Sequence, residues 1–308
     1  MIIKDRCMKH FLLTCFVAVL VCVAQATRAA IGDSIVSPAK IKQTVIKLPN
    51  SYKEISRVVN YSFTHPDVPK AFDGCRIAFI SDTHYKSLFD QKGLPSLTRL
   101  LRDQNPDLLL MGGDYQEGCQ YIEELFDSIK AAKPPLGIYA VLGNNDYERC
   151  TDDIRRSMAV RGIHLLEQKC DTIYREGTRL ILAGIENSTA TDAATIKRIV
   201  ECPTISLHDK DFVILLTHTP DYVEDHLTTN TDLVLAGHTH GGQVLIFGHA
   251  PKVPSKYGER FLTGLKYTSQ GVPIIITNGI GTSRIPIRSG APAEVVIITL
   301  HSAGTDVR

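Results

Sequence analysis

Residues 137–146 read GIYAVLGNND, an apolar run of strand length that ends in two neutral amides and a carboxylate. Taken alone this is a strand running into a turn, because Asn and Asp bond their own backbone and tolerate unusual dihedrals. The ending recurs along the chain. Ile77-Ala78-Phe79-Ile80 runs into Ser81-Asp82-Thr83-His84, and Leu108-Leu109-Leu110-Met111 runs into Gly112-Gly113-Asp114. Further on, Phe212 to Leu216 ends in Thr217-His218-Thr219-Pro220, and Leu233 to Ala236 ends in Gly237-His238-Thr239-His240-Gly241-Gly242. Five apolar runs therefore deliver Asp, His or Asn at their carboxyl ends, which is where α/β sheets place their ligand sites.

The surrounding pattern fits that reading. Strand-length runs recur at Arg76 to Ile80, Asp107 to Met111, Gly137 to Leu142, Leu180 to Ala183, Phe212 to Leu216, Asp232 to Ala236, Pro273 to Thr277 and Val295 to Leu300. Helix-spaced segments at Leu94 to Asp103, Tyr121 to Ala132 and Asp152 to Arg161 separate the early ones. Strands alternating with helices predict an α/β core with both sheet faces covered. Helical spacing thins out later, which predicts a mixed or antiparallel second half. Thr44 to Leu48 and Arg57 to Tyr61 read as edge strands of a leader, residues 27–73, ahead of a main domain at 74–301.

The first 26 residues stand apart. Lys4, Arg6 and Lys9 precede an apolar run from Phe11 to Ala24, followed by the small-x-small pattern Ala24-Gln25-Ala26. This reads as a signal peptide, with an N-terminal membrane anchor as the alternative, and places the protein outside the cytoplasm, in the periplasm or cell envelope. Its removal would move the formal charge from +1 to about −1 and leave Cys75, Cys119, Cys150, Cys170 and Cys202. An odd number of cysteines without regular spacing is no disulfide framework, although pairs can form in an oxidising compartment. A near-zero charge without clustered Lys and Arg argues against nucleic acid as a partner.

The residue types at the strand ends suit metal ions. Carboxylates, imidazoles and an amide oxygen are ligands for divalent ions of intermediate hardness such as Mn, Fe or Zn. Asp82 with His84, and His238 with His240, are spaced i and i+2, so each pair reaches one ion only if its strand has ended, since strand side chains alternate faces. Structural zinc sites, by contrast, are closed four-ligand sets rich in Cys, and no CxxC is present.

These blocks, Asp82-Thr83-His84, Gly113-Asp114, Gly143-Asn144-Asn145-Asp146, Thr217-His218 and Gly237-His238-Thr239-His240, resemble in order the calcineurin-like metallophosphoesterases. The resemblance implies an α/β, four-layer α-β-β-α sandwich of two mixed sheets, with a dimetal site at the strand carboxyl ends. It implies that Asp82, His84 and His240 hold a first ion, that Asp114 bridges, and that Asn144, His218 and His238 hold a second. It assigns Asn145 to substrate and catalysis and Asp146 to support of its neighbours. Gly237 to Gln243, with Gly281-Thr282-Ser283 and Pro286-Ile287-Arg288, is similar to a bacterial branch of membrane-associated phosphodiesterases that includes pyrophosphatases acting on UDP-2,3-diacylglucosamine. That implies an exported or membrane-associated phosphohydrolase with a phosphorylated small-molecule or lipid substrate.

Asn145 departs from the family pattern, in which a His at this position is a candidate proton donor. An amide can hold a phosphate oxygen but cannot titrate. General acid help is worth about 10² to 10⁴ in rate, so its loss favours leaving groups that depart as stable anions, in anhydrides or activated aryl esters. The alternative is a catalytically impaired metal-binding protein that recognises a phosphorylated ligand. Residues 251–290 carry Lys252, Lys256, Arg260, Lys266, Arg284 and Arg288 against Glu259 alone. Arg288 is the candidate contact to substrate phosphate, and Phe247, Tyr257, Phe261 and Leu262 interleave apolar groups suited to a membrane surface. His208, His226 and His249 read first as surface residues, with replacement of the missing acid as the alternative for each.

Overall fold

The structure, a computed structural model, describes residues 39–187 and 201–303. The signal-peptide reading of residues 1–26 lies outside them. No helix among the described residues is long and apolar enough to cross a membrane.

Two sheets face each other. The first orders β1 (Lys40–Lys47), β2 (Arg57–His65), β13 (Glu294–Ser302), β3 (Arg76–Ile80), β4 (Leu108–Met111), β5 (Ile138–Ala140) and β6 (Ile163–Leu165). β3 to β6 are parallel, β13 runs antiparallel to β3 and parallel to β2, and β1 is antiparallel to β2. The second orders β11 (Gly264–Tyr267), β12 (Pro273–Ile276), β10 (Leu233–Ala236), β9 (Val213–Leu216), β8 (Thr178–Gly184) and β7 (Lys169–Arg175). Its four central strands are parallel and its two edge strands antiparallel to their neighbours. The mixed character expected of the later half thus lies in the edge strands of the second sheet and in β13, an interior strand of the first that runs antiparallel to β3.

Strand alternation builds the layers. Ile77 and Phe79 point between the sheets, where they meet Leu110, Leu182, Ile214, Leu235 and Ile298, whereas Ala78 and Ile80 face the helices. Helices α1 (Gly93–Gln104), α2 (Ile122–Lys130) and α4 (Thr151–Val160) cover that outer face. In α1, Leu94, Leu97, Leu100 and Leu101 bury one stripe at helical spacing, and Asn105 ends the helix in the left-handed conformation with φ 45°. On the outer face of the second sheet the described cover is short, with α5 (Tyr222–Asp225) and 3₁₀ turns packing Tyr222, Val223 and Phe261 on Ile181, Val234 and Ile274. The four-layer sandwich follows from these faces.

The leader reading is corrected in one respect. β2 is an interior strand, paired over nine residues with β13, and residues 39 onward belong to one compact unit with the rest. Along it the half-buried polar residues Asn60, Ser62 and Thr64 alternate with the buried Tyr61 and Phe63.

Pairing in register keeps the strand ends level. Ile80 pairs with Met111 and Met111 with Ala140 in one sheet, and Leu216 with Leu235 in the other. All five polar endings emerge on one side. The stretch after Leu142 does not make a simple turn: Gly143 caps the short helix α3 (Asn144–Glu148).

Candidate metal centre

Immediately beyond the strands the backbone turns sharply. Asp82, His84, Asp114, His238 and His240 all have positive φ, between 36° and 70°, where an L-residue is strained by about 1 kcal/mol or more. Strained polar residues recurring on three separate loops mark a functional rim. Two glycines permit the close approach of these loops, since a Cβ on Gly143 would strike the Asp114 carboxylate and one on Gly237 would strike that of Asp82.

The side chains converge as two groups, Asp82 with His84 and His240, and Asp114 with His218 and His238, each with donor atoms within 4.8 Å of one another. Asp114 stands between them. Its Oδ2 lies 3.4 Å from His84 Nε2 of the first group and 3.3 Å from His218 Nε2 of the second. Asp82 Oδ1 lies 3.4 Å from His240 Nε2, and His238 Nδ1 lies 3.2 Å from His218 Nε2. Asn144 lines the same cavity, and its Oδ1 is buried without a hydrogen-bond partner, as is His84 Nε2. Orphaned buried polar atoms are costly. Here both can turn a lone pair to a cation, His84 on losing its proton, and a set of N and O donors of this kind fits divalent ions of intermediate hardness.

Neighbours fix the donors. His218 Nδ1 bonds the Gly112 carbonyl at 2.7 Å, and His84 Nδ1 bonds Glu117 Oε1 at 2.6 Å, so both rings present Nε2 to Asp114. Such outer partners set the tautomer of a ligating imidazole. Glu117 was not singled out by sequence reading, because it lies three residues past Asp114 and meets His84 only in space. Asp146 accepts three backbone N–H groups, from Asp114, Tyr115 and Gly143. It is a positioning residue, fully enclosed.

The buried acids and imidazoles of the rim shift one another's protonation. Burial pushes the Asp114 carboxyl up, but His218 and His84 beside it more than reverse this and hold it well below the usual range. Burial lowers His84 and His218, yet their carboxylate neighbours raise them to about 10 and about 9. Burial also lowers His238 to about 4 and His240 to about 3, where little offsets it.

A cavity of about 740 Å³ opens on this rim, lined among others by Asp114, Asn145, His238, His240, Lys252 and Arg284. Asn145 donates its side-chain amide to Asp114 Oδ2 and its backbone N–H to Asp114 Oδ1. Arg288 is elsewhere than expected. It is half-buried beneath the rim, and its guanidinium donates to the carbonyls of Gly281, Asn278, His240 and Ala291, which uses all five N–H groups. It holds the His240 loop and has no donor left for a phosphate. Likewise Phe261 and Leu262 belong to the buried core and Tyr257 is half-buried, so only Phe247 of that apolar set is exposed. Lys256 and Arg260 pair with Asp225 and Glu224, which leaves Lys252 and Arg284 as the cations of that tract on the cavity wall. None of His208, His226 and His249 lines the cavity. His249 pairs with Glu259 at the surface.

A disulfide joins Cys119 to Cys150, while Cys75, Cys170 and Cys202 are free. It connects the segment after Asp114 and Glu117 to the end of the segment that carries Asn144 and Asn145.

A two-sheet α/β sandwich with two Asp/His donor groups at its strand ends defines a metal-dependent phosphoesterase. Residues 75–242 match the profile of the calcineurin-like phosphoesterases, and the chain belongs to that family. The uncharacterized metallophosphoesterase YkuE of Bacillus subtilis (strain 168) is 28% identical over 242 residues, 76% of this chain and 82% of its own. An uncharacterized metallophosphoesterase of Aquifex aeolicus (strain VF5) is 28% identical over 261 residues, 80% of this chain and 93% of its own. Among solved structures, TT1561 of Thermus thermophilus superposes with a TM-score of 0.45 at 13% identity, over 68% of this chain and 91% of that one.

Proposed function

We propose that the protein is an exported or membrane-associated phosphohydrolase of the cell envelope that uses two divalent ions to cleave phosphoanhydrides or activated phosphodiesters. The substrate class is nucleotide-like or lipid-linked, with UDP-2,3-diacylglucosamine as an example. The observation that carries the two-metal reading is Asp114, whose Oδ2 lies within 3.4 Å of a histidine from each donor group. Asp82, His84 and His240 would hold one ion, Asn144, His218 and His238 the other, and Asp114 both. When bound, Mn, Fe or Zn ions would neutralise phosphoryl oxygens and lower the pKa of a water molecule.

The chain's own residues define the rest. Asn145 faces the cavity beside Asp114 and offers an amide, which can orient a phosphoryl oxygen but cannot give up a proton to the leaving group. Asp146 ties the backbones of Gly143 and Asp114 together beside that amide. With no acid at Asn145, a leaving group whose conjugate acid is already strong, such as a phosphate with a pKa of about 6, departs most readily. Export is supported by the basic-apolar-small pattern of residues 1–26 and by the Cys119–Cys150 disulfide, since such bonds persist in oxidising compartments.

The test is hydrolysis of bis(p-nitrophenyl) phosphate by the Mn-loaded protein, with His238→Ala as the blank, followed by UDP-sugar-type anhydrides against glycerophosphodiesters. Faster turnover of the anhydrides is expected. Faster turnover of the alkyl diesters overturns the leaving-group argument, and stoichiometric metal without any hydrolysis supports the impaired metal-binding alternative.

A further inference from the structure

One side of the cavity mouth is apolar. Ile246 and Phe247 form the tip of a turn closed by reciprocal backbone hydrogen bonds between Ile246 and His249, at 2.8 and 3.0 Å. A second segment lies against the base of that turn: Leu245 N donates to Ser289 O, Ser289 N to Gln243 O, and Gln243 Nε2 to Ile285 O. The two segments together expose Ile246 (54%), Phe247 (99%), Ile285 (52%) and Ile287 (56%).

Isolated exposed apolar residues are ordinary, and Val160, Tyr174 and Leu227 are such cases, each on a different element. Four on two hydrogen-bonded segments form a patch, and patches of that kind mark interaction sites. Just inside the patch the same segments become polar. Gln243, Lys252, Ser283 and Arg284 line the cavity and lead to Asp114 and His240. Exposed aliphatic and aromatic side chains thus stand on segments whose neighbouring residues, two cations among them, line the cavity that contains the metal-binding rim. A lipid interface presents the complementary pair, acyl chain and headgroup phosphate.

We propose that Ile246, Phe247, Ile285 and Ile287 dock the cavity mouth onto an anionic lipid surface, with Lys252 and Arg284 on the lipid phosphates, so that a lipid-borne substrate enters from the membrane plane. This rests on the phosphohydrolase reading for what the cavity does, but not for whether the patch binds lipid. A stable protein partner would cover about 800 Å² on each side, more than two narrow turns offer. An interface with lipid needs only a few inserted apolar groups, with each nearby cation adding about 1 kcal/mol at an anionic surface.

The sequence contains no tryptophan, so single tryptophans report on depth without background. Phe247→Trp is compared with Tyr174→Trp, an exposed position on the edge strand β7. With phosphatidylglycerol–phosphatidylethanolamine vesicles, the emission of Phe247→Trp should shift to the blue and be quenched by brominated acyl chains. Phosphatidylcholine vesicles should give a smaller response, and Tyr174→Trp should give none. Unshifted emission of Phe247→Trp overturns the proposal, whether the protein sediments with the vesicles through its N-terminal segment or stays free. So does an equal response of both tryptophans. The double variant Ile246→Ser, Phe247→Ser should lose the docking contact, with quenching of a third reporter, Ile285→Trp, reduced roughly tenfold or more. It should hydrolyse bis(p-nitrophenyl) phosphate as the parent does. Failure of the parent to hydrolyse that ester counts against the phosphohydrolase reading alone, because the fluorescence decides docking independently.

Discussion

The Asp146 carboxylate accepts the backbone N–H of Asp114 at 2.7 Å, so one buried acid holds the loop that carries the other. It also accepts from Tyr115 at 3.0 Å and from Gly143 at 2.8 Å, and thereby clamps the loop after β4 to the start of α3. Asp146→Ala leaves three enclosed donors unpaired. Each such loss costs about 1 to 3 kcal/mol, shared here through local relaxation. A drop of about 2 to 4 kcal/mol in unfolding free energy is expected by denaturant titration in EDTA, where metal contributes nothing. Unchanged stability would show that the clamp is incidental.

Metal stoichiometry separates the two donor groups. His240→Ala removes a donor from the group of Asp82 and His84, and His218→Ala one from the group of Asp114 and His238. Elemental analysis of each purified variant should show about one ion retained, against two in the parent, with Asp114→Ala retaining the least because that carboxylate faces both groups. One ion in the parent protein would sink the paired reading.

Protons must leave as metal enters. His84 and His218 are raised to about 10 and about 9, so both carry protons at neutral pH, and a cation bonding to Nε2 displaces them. Apparent affinity should therefore rise with pH and fall on acidification, by up to about tenfold per pH unit for each proton released. Calorimetric titration in buffers of different ionisation enthalpy reads the number directly. Zero release would contradict the protonation derived for the rim.

Much of this centre was legible in the sequence because its strands are buried on both faces. Arg76 to Ile80 is read to the residue, and β4, β9, β10 and β12 to within one or two, since continuous apolar runs leave little choice. The i and i+2 spacing of Asp82 with His84 required a strand end, and both residues do lie beyond Ile80 with positive φ. β6, β7 and β11 were missed. They are short or half-exposed, and their residues alternate too weakly to stand out. Glu117 and the Cys119–Cys150 pair depend on loops meeting in space. Arg288 shows a different limit: its charge was visible, but the carbonyls of Gly281, Asn278, Ala291 and the distant His240 decide where that charge points.

The Cys119–Cys150 bond closes 31 residues and spans the two segments that meet at Asp114 and Asn145. A loop of that size contributes about 3 to 4 kcal/mol by the chain-entropy account. Cys119→Ser with Cys150→Ser should lower the melting temperature and weaken metal binding, because Glu117 and Asn144 lose a shared tether. Dithiothreitol should reproduce both effects in the parent and change nothing in the double variant. A parent insensitive to reductant, with the bond shown by mass spectrometry to be broken, would mean that the hydrogen bonds of Asp146 and Asn145 hold the loops without it.

Asn145→His tests the leaving-group argument at its source. The asparagine is half-buried on the cavity wall with its amide on Asp114, and an imidazole can keep that contact through one nitrogen while the other faces the cavity. It can also titrate near neutral pH, which the amide cannot. If proton donation is what the native protein lacks, hydrolysis of alkyl phosphodiesters should rise by up to about 10² relative to the parent, the lower end of general acid catalysis. Hydrolysis of bis(p-nitrophenyl) phosphate should change by less than about tenfold, since p-nitrophenolate needs no proton to depart. The ratio of the two rates is the measurement, and it is insensitive to a uniform loss of active protein. An unchanged ratio would place the selectivity elsewhere on the cavity wall, with Lys252 and Arg284 as the next residues to vary.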